Sequence, residues 1–185
     1  MKVDEYGKYV QILGYRLREA IEPKAFIEAA RNACRPTVAQ FLDAEALASE
    51  KHLFFATLNA IKTFTQGRSI AQSLDIEILL YASAQNQIGE AIRTVGLQPR
   101  TSLMAIVLVG ENEAETTLAA DKLQALVPGI QDQSVLGLVD QKKIAAFSRL
   151  YEIDTVEVAT LSGVDIEEAL QWLIIERTAL LDAKR

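Results

Sequence analysis

Two stretches limit the fold more than anything else in the chain: "IEILLYASA" (76–84) and "SLMAIVLVG" (102–110) are almost unbroken apolar runs. A strand with one wet face alternates polar and apolar side chains, whereas one that is apolar throughout must be covered on both faces. Both runs are far too short to span a membrane. They therefore read as inner strands of a sheet with a layer on each side. "YVQILGYRL" (9–17) and "PTVAQFLD" (36–43) add two looser strands, and "SVLGL" a short edge strand. The covering helices are "PKAFIEAARNA", with Pro23 near its start, and "EKHLFFATLNAIKTFTQ", capped by Ser49 and stopped by Gly67. "SIAQSL" follows as a short helical turn. Then come "QNQIGEAIRTV", closed by Gly96, and "EAETTLAADKLQAL", ended by Pro128-Gly129. Asp140 is placed to cap "QKKIAAFSRLY", and Asp165 the last helix. Strands alternating with helices predict an α/β fold, a single domain over 1–185 with a mixed β-sheet flanked by α-helices. Its core falls at about 9–130 and a helical C-terminal part at about 140–182.

The residue types that most catalytic and metal sites need are scarce. His52 is the single histidine and Cys34 the single cysteine, so no zinc pattern and no disulfide framework is expected. No phosphate loop, dinucleotide turn or nucleophile elbow is present, and no cofactor is implied. Cys34 with His52 offers a thiol and a base; set against that is a buried structural cysteine. Asp75 and Glu77 flank Ile76 and offer an acid/base pair; such residues more often cap backbone or hold an arginine. The net charge of −6 excludes a general nucleic-acid binder, which would be basic, and restricts any RNA contact to a local patch. The opening "MKVDEYGKYVQILG" lacks the apolar core of a signal peptide, so a cytoplasmic protein is expected, or also a nuclear one if the organism has a nucleus.

Two features carry more information. The first runs from Glu50 to Ile92: Lys51, His52, Asn59, Lys62, Gln66 and Arg68 lie on or just after one helix, and "ASAQNQIGEAIR" leads into another. A helix start presents free N–H groups that suit an anion, and amides at Gln85, Asn86 and Gln87 add directional donors and acceptors. A capped helix with a polar turn explains the same residues. The second is the ending, "WLIIERTALLDAKR". With Trp172 at 0° and about 100° per residue, Ile166, Ala169, Leu170, Leu173, Ile174, Leu180 and Leu181 fall in one wide stripe, with Arg177 inside it. Trp172, Ile175 and Ala179 form a second. Either the helix is sandwiched inside its own fold, or one stripe packs at home and the other docks a partner.

"SEKHLFFATLNAIKTF", "SIAQSLDIEILLYASAQNQIGEAIRTVGL" and "LIIERTALLDAKR" resemble one family, the small PRPK-binding (TPRKB) subunit of the KEOPS complex. The resemblance runs in order from "ILGYRL" onward and is weakest between 111 and 160. It implies a non-catalytic subunit of a complex that helps to install threonylcarbamoyl-adenosine in tRNA. Such a subunit binds the complex's atypical kinase and, in some members, the single-stranded 3′ CCA end of tRNA. Carried onto this chain, it puts the kinase at Leu170, Leu173, Ile174, Arg177, Leu180 and Leu181, or at Trp172 and Ile175. It puts the RNA at Lys51, His52, Lys62, Arg68, Ser83, Gln85, Asn86 and Gln87. An arginine at Leu173 or Ile174 is then expected to abolish docking while the fold survives. The family commonly has arginine where this chain has Asn86, so the resemblance implies either a weaker RNA site here or one that uses Arg68 or Arg93 instead. The nearest aromatic, Tyr81, has an alternation that points it to the core. An exposed stripe would also let the isolated protein self-associate. The alternative is a small α/β enzyme or ligand-binding domain with a pocket at the sheet edge built from Glu77, Gln85 and His52.

Overall fold

In a computed structural model, residues 1–137, 145, 147–149, 151, 153–154, 157–158 and 166–181 are described. The run at 102–110 forms β4 (Leu103–Gly110), the central strand, between β2 (Lys8–Leu17) and β3 (Val38–Asp43). Beyond β2, β1 (Lys2–Val3) pairs with its start and β5 (Gly129–Gln131) with its end. β4 separates its side chains by parity, as a strand covered on both faces should. Met104, Ile106 and Leu108 face α1 (Pro23–Cys34) and α5 (Glu113–Leu126), in a core with Tyr15, Phe41 and Leu123. Ala105, Val107 and Val109 face α2 (Glu50–Thr65) and α3 (Leu74–Ser83), in a core with Leu53, Ile61, Ile78 and Leu80. Each of the larger buried side chains contributes about 1.5–3 kcal/mol.

The α/β architecture expected from the sequence is present, and every strand pairing described is antiparallel where a mixed sheet was expected. The reason lies in α1. It returns the chain so that β2 and β3 run the same way, as a helical crossover does, but β4 inserts between them and runs against both.

The largest correction concerns 76–84, which is helix α3 and not a strand. A helix that is apolar all round gives the same unbroken run as a doubly covered strand. α3 is such a helix, enclosed by α2, by α4 (Ile88–Val95) and by the closing helix α6 (Ile166–Ala179). Two acids in its first turn, Asp75 and Glu77, suit a helix N-terminus. It ends at Ala84, whose φ of 51° is left-handed, with the Gln85 N–H returning to the Leu80 carbonyl at 3.1 Å. "SIAQSL" is a bend rather than a helical turn. The edge strand is β5, just before "SVLGL", whose first residues belong instead to a 3₁₀ turn, Gln133–Leu136, capped by Asp132. That turn crosses close over β2 at Gly14, where a Cβ would stand 2.5 Å from the Asp132 carbonyl oxygen. The caps assigned to Asp140 and Asp165 lie outside the described residues.

α6 lies across α2 and α3. A third core joins Leu170, Leu173 and Ile174 to Ala48, Phe147, Tyr151 and Ile153. The Tyr151 hydroxyl donates to the Ala82 carbonyl at 3.0 Å.

Candidate functional site

The closing helix is built from the inside out. Leu170, Ile174 and Leu181 are buried, and Leu173 and Ile175 are nearly so. The buried arc therefore takes in Ile175 as well as most of the wide stripe, because α2 and α3 both pack against the helix. What stays outside is a narrow strip of Glu168, Trp172, Glu176 and Ala179, with Leu180 at the end. Trp172 is 44% exposed and Leu180 40%. Arg177 is turned to Glu157, its Nη2 donating to both carboxylate oxygens at 2.8 and 2.7 Å. Of the residues carried over for kinase docking, then, Trp172 and Leu180 are on the surface. An arginine at Ile174 would enter a core, so the expectation that the fold survives such a change is reversed. The same holds for Leu173, which is 9% exposed.

The outward strip does not stand alone. The Trp172 ring lies 6.4 Å from Phe55, centroid to centroid. The Lys51 ammonium sits over the indole, 5.8 Å from its centroid. Beside them an open cleft of about 360 Å³ is lined by Met1, Ser49, Glu50, Lys51, Phe54 and Gln171. α2 begins here because the Ser49 hydroxyl accepts the His52 N–H at 3.2 Å, as read from the sequence.

The RNA candidates divide into two groups and a remainder. Lys51 lies in the first turn of α2, and Ala48 just before that helix and Ala84 just after α3 pack into one core. In the turn after α3, Asn86 and Gln87 are exposed and Gln85 half-buried. Gln87 precedes α4 and makes no side-chain cap, which leaves the first amides of α4 to solvent or a ligand. Lys62 and Arg68 are exposed at the other end of α2, about 16 Å along the helix. Their cationic heads are not part of the first group, and Arg68 donates to the Gln66 side chain at 3.1 Å. His52 and Ser83 turn inward. His52 is fully buried, its Nδ1 accepting the Ala48 N–H at 3.3 Å and its ring edge-on to Tyr151. The Ser83 hydroxyl donates to the Leu79 and Leu80 carbonyls. Tyr81 is buried, as its position suggested. Sequence reasoning missed the aromatic that does stand beside Lys51, namely Trp172, because the two are far apart in the chain.

The groups proposed for chemistry do not converge. The Glu77 carboxylate is buried and accepts from the Ile70 and Ala71 N–H groups at 3.1 and 2.9 Å and from the Thr63 hydroxyl at 3.3 Å. It staples the 66–73 bend to α2 and α3. Asp75 holds the Arg31 guanidinium at 2.6 Å. Gln85 is at the opposite end of α3 from Glu77. Cys34 is buried in the core under α1 and α5, across the sheet from His52. Burial pushes its thiol up to about 11, with nearby Lys122 partly opposing. Among the described residues no helix is long and apolar enough to cross a membrane.

The fold and these contacts define an α/β domain whose distinctive surface is a helix strip and a polar turn, and among the described residues the candidate reactive groups do not converge. A family model described as kinase binding protein CGI-121 matches residues 19–182, and the chain belongs to that family. It is similar to the regulatory protein Cgi121 of Methanocaldococcus jannaschii, 36% identical over 104 residues, which cover 56% of this chain and 63% of that protein. It is also similar to the EKC/KEOPS complex subunit CGI121 of Coccidioides immitis, 22% identical over 130 residues, covering 68% of this chain and 61% of the relative. A third, the EKC/KEOPS complex subunit cgi121 of Neurospora crassa, is 32% identical over 68 residues. The chain thus spans about three fifths of the length of the first two relatives, 63% and 61%.

Proposed function

We propose that the protein is a non-catalytic KEOPS subunit, cytoplasmic (also nuclear in a eukaryote), that acts in the threonylcarbamoyl-adenosine modification of tRNA. In this reading it docks the complex's small atypical kinase through the outward strip of α6 and binds the single-stranded 3′ CCA end of tRNA. The RNA contact is made by Lys51 and the turn of Gln85, Asn86 and Gln87. The family match to a kinase binding protein and the names of the two fungal relatives support this reading. The observation that carries it is Trp172, a large aromatic left 44% exposed on a helix whose other side is consumed by its own core. Tryptophan is a frequent anchor of protein interfaces. It stands between Glu168 and Glu176, one turn away on either side, so it fits a pocket rimmed by cations. Lys51 and the exposed amides of Asn86 and Gln87 would together offer a cation and hydrogen-bonding groups to single-stranded RNA on an otherwise acidic chain.

The test is co-purification with the kinase, read by mass spectrometry, together with tRNA binding by the isolated protein. Kinase recovery and a tRNA shift that weakens on trimming the CCA end and fades with salt are the expected results. Failure to recover the kinase removes the docking reading, and equal binding of trimmed and intact tRNA removes the CCA reading.

A further inference from the structure

Lys51 and Trp172 belong to different halves of the proposed function, yet the structure puts one over the other. The ammonium lies 5.8 Å from the indole centroid, and Phe55 supports the ring from its side at 6.4 Å. A cation held on an aromatic face is not free to meet a phosphate, and an aromatic face under a cation is not free to enter a partner's pocket. From this geometry we infer that kinase docking and RNA binding are coupled, with the Lys51–Trp172 contact as a latch that each partner opens for the other. The inference rests on the proposed function and adds to it a sign and a size.

The sign follows from desolvation. A partner that buries the Trp172 ring meets the Lys51 head on the way in. Burying that head unpaired in the interface is costly, so the docked state has Lys51 swung out to solvent. There it has lost its ring and is available to a phosphate. RNA that binds afterwards no longer has to break the cation–π contact, so docking strengthens RNA binding. By reciprocity RNA strengthens docking by the same factor. The size is bounded by the contact itself, which at an exposed site corresponds to roughly a two- to fivefold change in affinity. The exposed carboxylates of Glu168 and Glu176 lie on the same strip of α6. They disfavour RNA on the ring itself, which sets this reading apart from one in which Trp172 stacks on a base.

The experiment titrates the isolated protein with a fluorescein-labelled single-stranded RNA ending in CCA, comparing wild type, Trp172→Leu, Lys51→Ala and the double variant. Thermal melts check that each is folded. Removing the ring releases Lys51, so Trp172→Leu is expected to bind RNA two- to fivefold more tightly than wild type. Lys51→Ala is expected to bind more weakly, and the double variant to match Lys51→Ala. Saturating kinase should tighten RNA binding by wild type and not by Lys51→Ala. Unchanged affinity in Trp172→Leu overturns the latch. Weaker binding overturns it in favour of base stacking. If wild type itself does not bind, the RNA half of the proposed function fails and the latch with it.

Discussion

The change that best separates scaffold from surface is a pair of truncations two residues apart on opposite sides of α6, Ile174→Ala and Trp172→Ala. Ile174 is fully buried between α6 and the core of Ala48, Tyr151 and Leu173. Removing its branched side chain costs the transfer free energy plus the cavity left behind, about 2–5 kcal/mol. A domain of this kind has about 5–15 kcal/mol in total, so the loss is a large fraction. At about 2–4 °C per kcal/mol for this chain length, the melting temperature should fall by roughly 4–20 °C. Trp172→Ala removes a ring that is already 44% exposed. It loses the Lys51 contact, worth about 0.5–1 kcal/mol, and part of the packing on Phe55, so its melting temperature should move by only a few degrees. Docking should respond in the opposite order. Loss of an interface anchor costs about 2 kcal/mol or more, about thirtyfold in Kd, while Ile174→Ala, assayed below its melting point, should dock within severalfold of wild type. Melting is followed by circular dichroism and docking by calorimetry with the purified kinase. An Ile174→Ala protein of wild-type stability that fails to dock would refute the division of the helix into an inner and an outer face.

The other predictions concern the scaffold that holds this surface. Glu77→Ala should destabilise by about 2–4 kcal/mol, since it leaves the Ala71 N–H buried without its acceptor. Glu77→Gln, which can keep an oxygen on the two N–H groups and turn its amide to Thr63, should cost about 1 kcal/mol. Urea denaturation distinguishes them, and equal, small losses would show that the carboxylate does not staple the bend. Cys34, with its thiol raised to about 11, should be almost entirely un-ionised at pH 8 and react with iodoacetamide only when the protein is unfolded. Rapid labelling of the native protein at that pH would contradict its placement. Gly14→Ala should cost about 1–3 kcal/mol by forcing the 132–135 turn off β2, and an unchanged melting curve would mean that the turn does not cross there.

Local chemistry was legible where it is self-contained. Ser49 announced α2, Pro23 announced α1, and the parity of 102–110 was that of a strand with two covered faces. The same reasoning failed at 76–84 because periodicity vanishes when a helix is enclosed on all sides. The acids at its start were the surviving clue: as the sequence favoured, Glu77 accepts backbone N–H groups and Asp75 holds an arginine, but on a helix start rather than a strand. The wheel gave two stripes on α6, but which of them faces out depends on α2 and α3, which bring Ile175 inside and leave Trp172 out. His52 and Ser83 misled by residue type, since a polar side chain that finds a backbone partner is as much at home in a core as a leucine. The contact of Lys51 with Trp172 has no local signature at all, because only the fold brings those positions together.

Arg177 offers the sharpest check on how far the family's docking residues transfer to this chain. It sits within the wide stripe, and the resemblance assigns it to the kinase. In the structure its guanidinium is held by the Glu157 carboxylate through two contacts of 2.8 and 2.7 Å. If that pair only ties α6 to residue 157, then Arg177→Leu and Glu157→Gln remove one and the same interaction. The Glu157 side chain is 38% exposed, so solvent screening holds the loss to about 1 kcal/mol or less. Both variants should then melt no more than a few degrees early, and both should dock the kinase as wild type does. If Arg177 instead leaves Glu157 to reach the partner, the two variants part company. Arg177→Leu loses docking, whereas Glu157→Gln, by releasing the guanidinium, docks at least as well as wild type. The present geometry predicts the first pattern. Docking measured on the two variants side by side decides between them, and a loss confined to Arg177→Leu would move this residue from the scaffold to the interface.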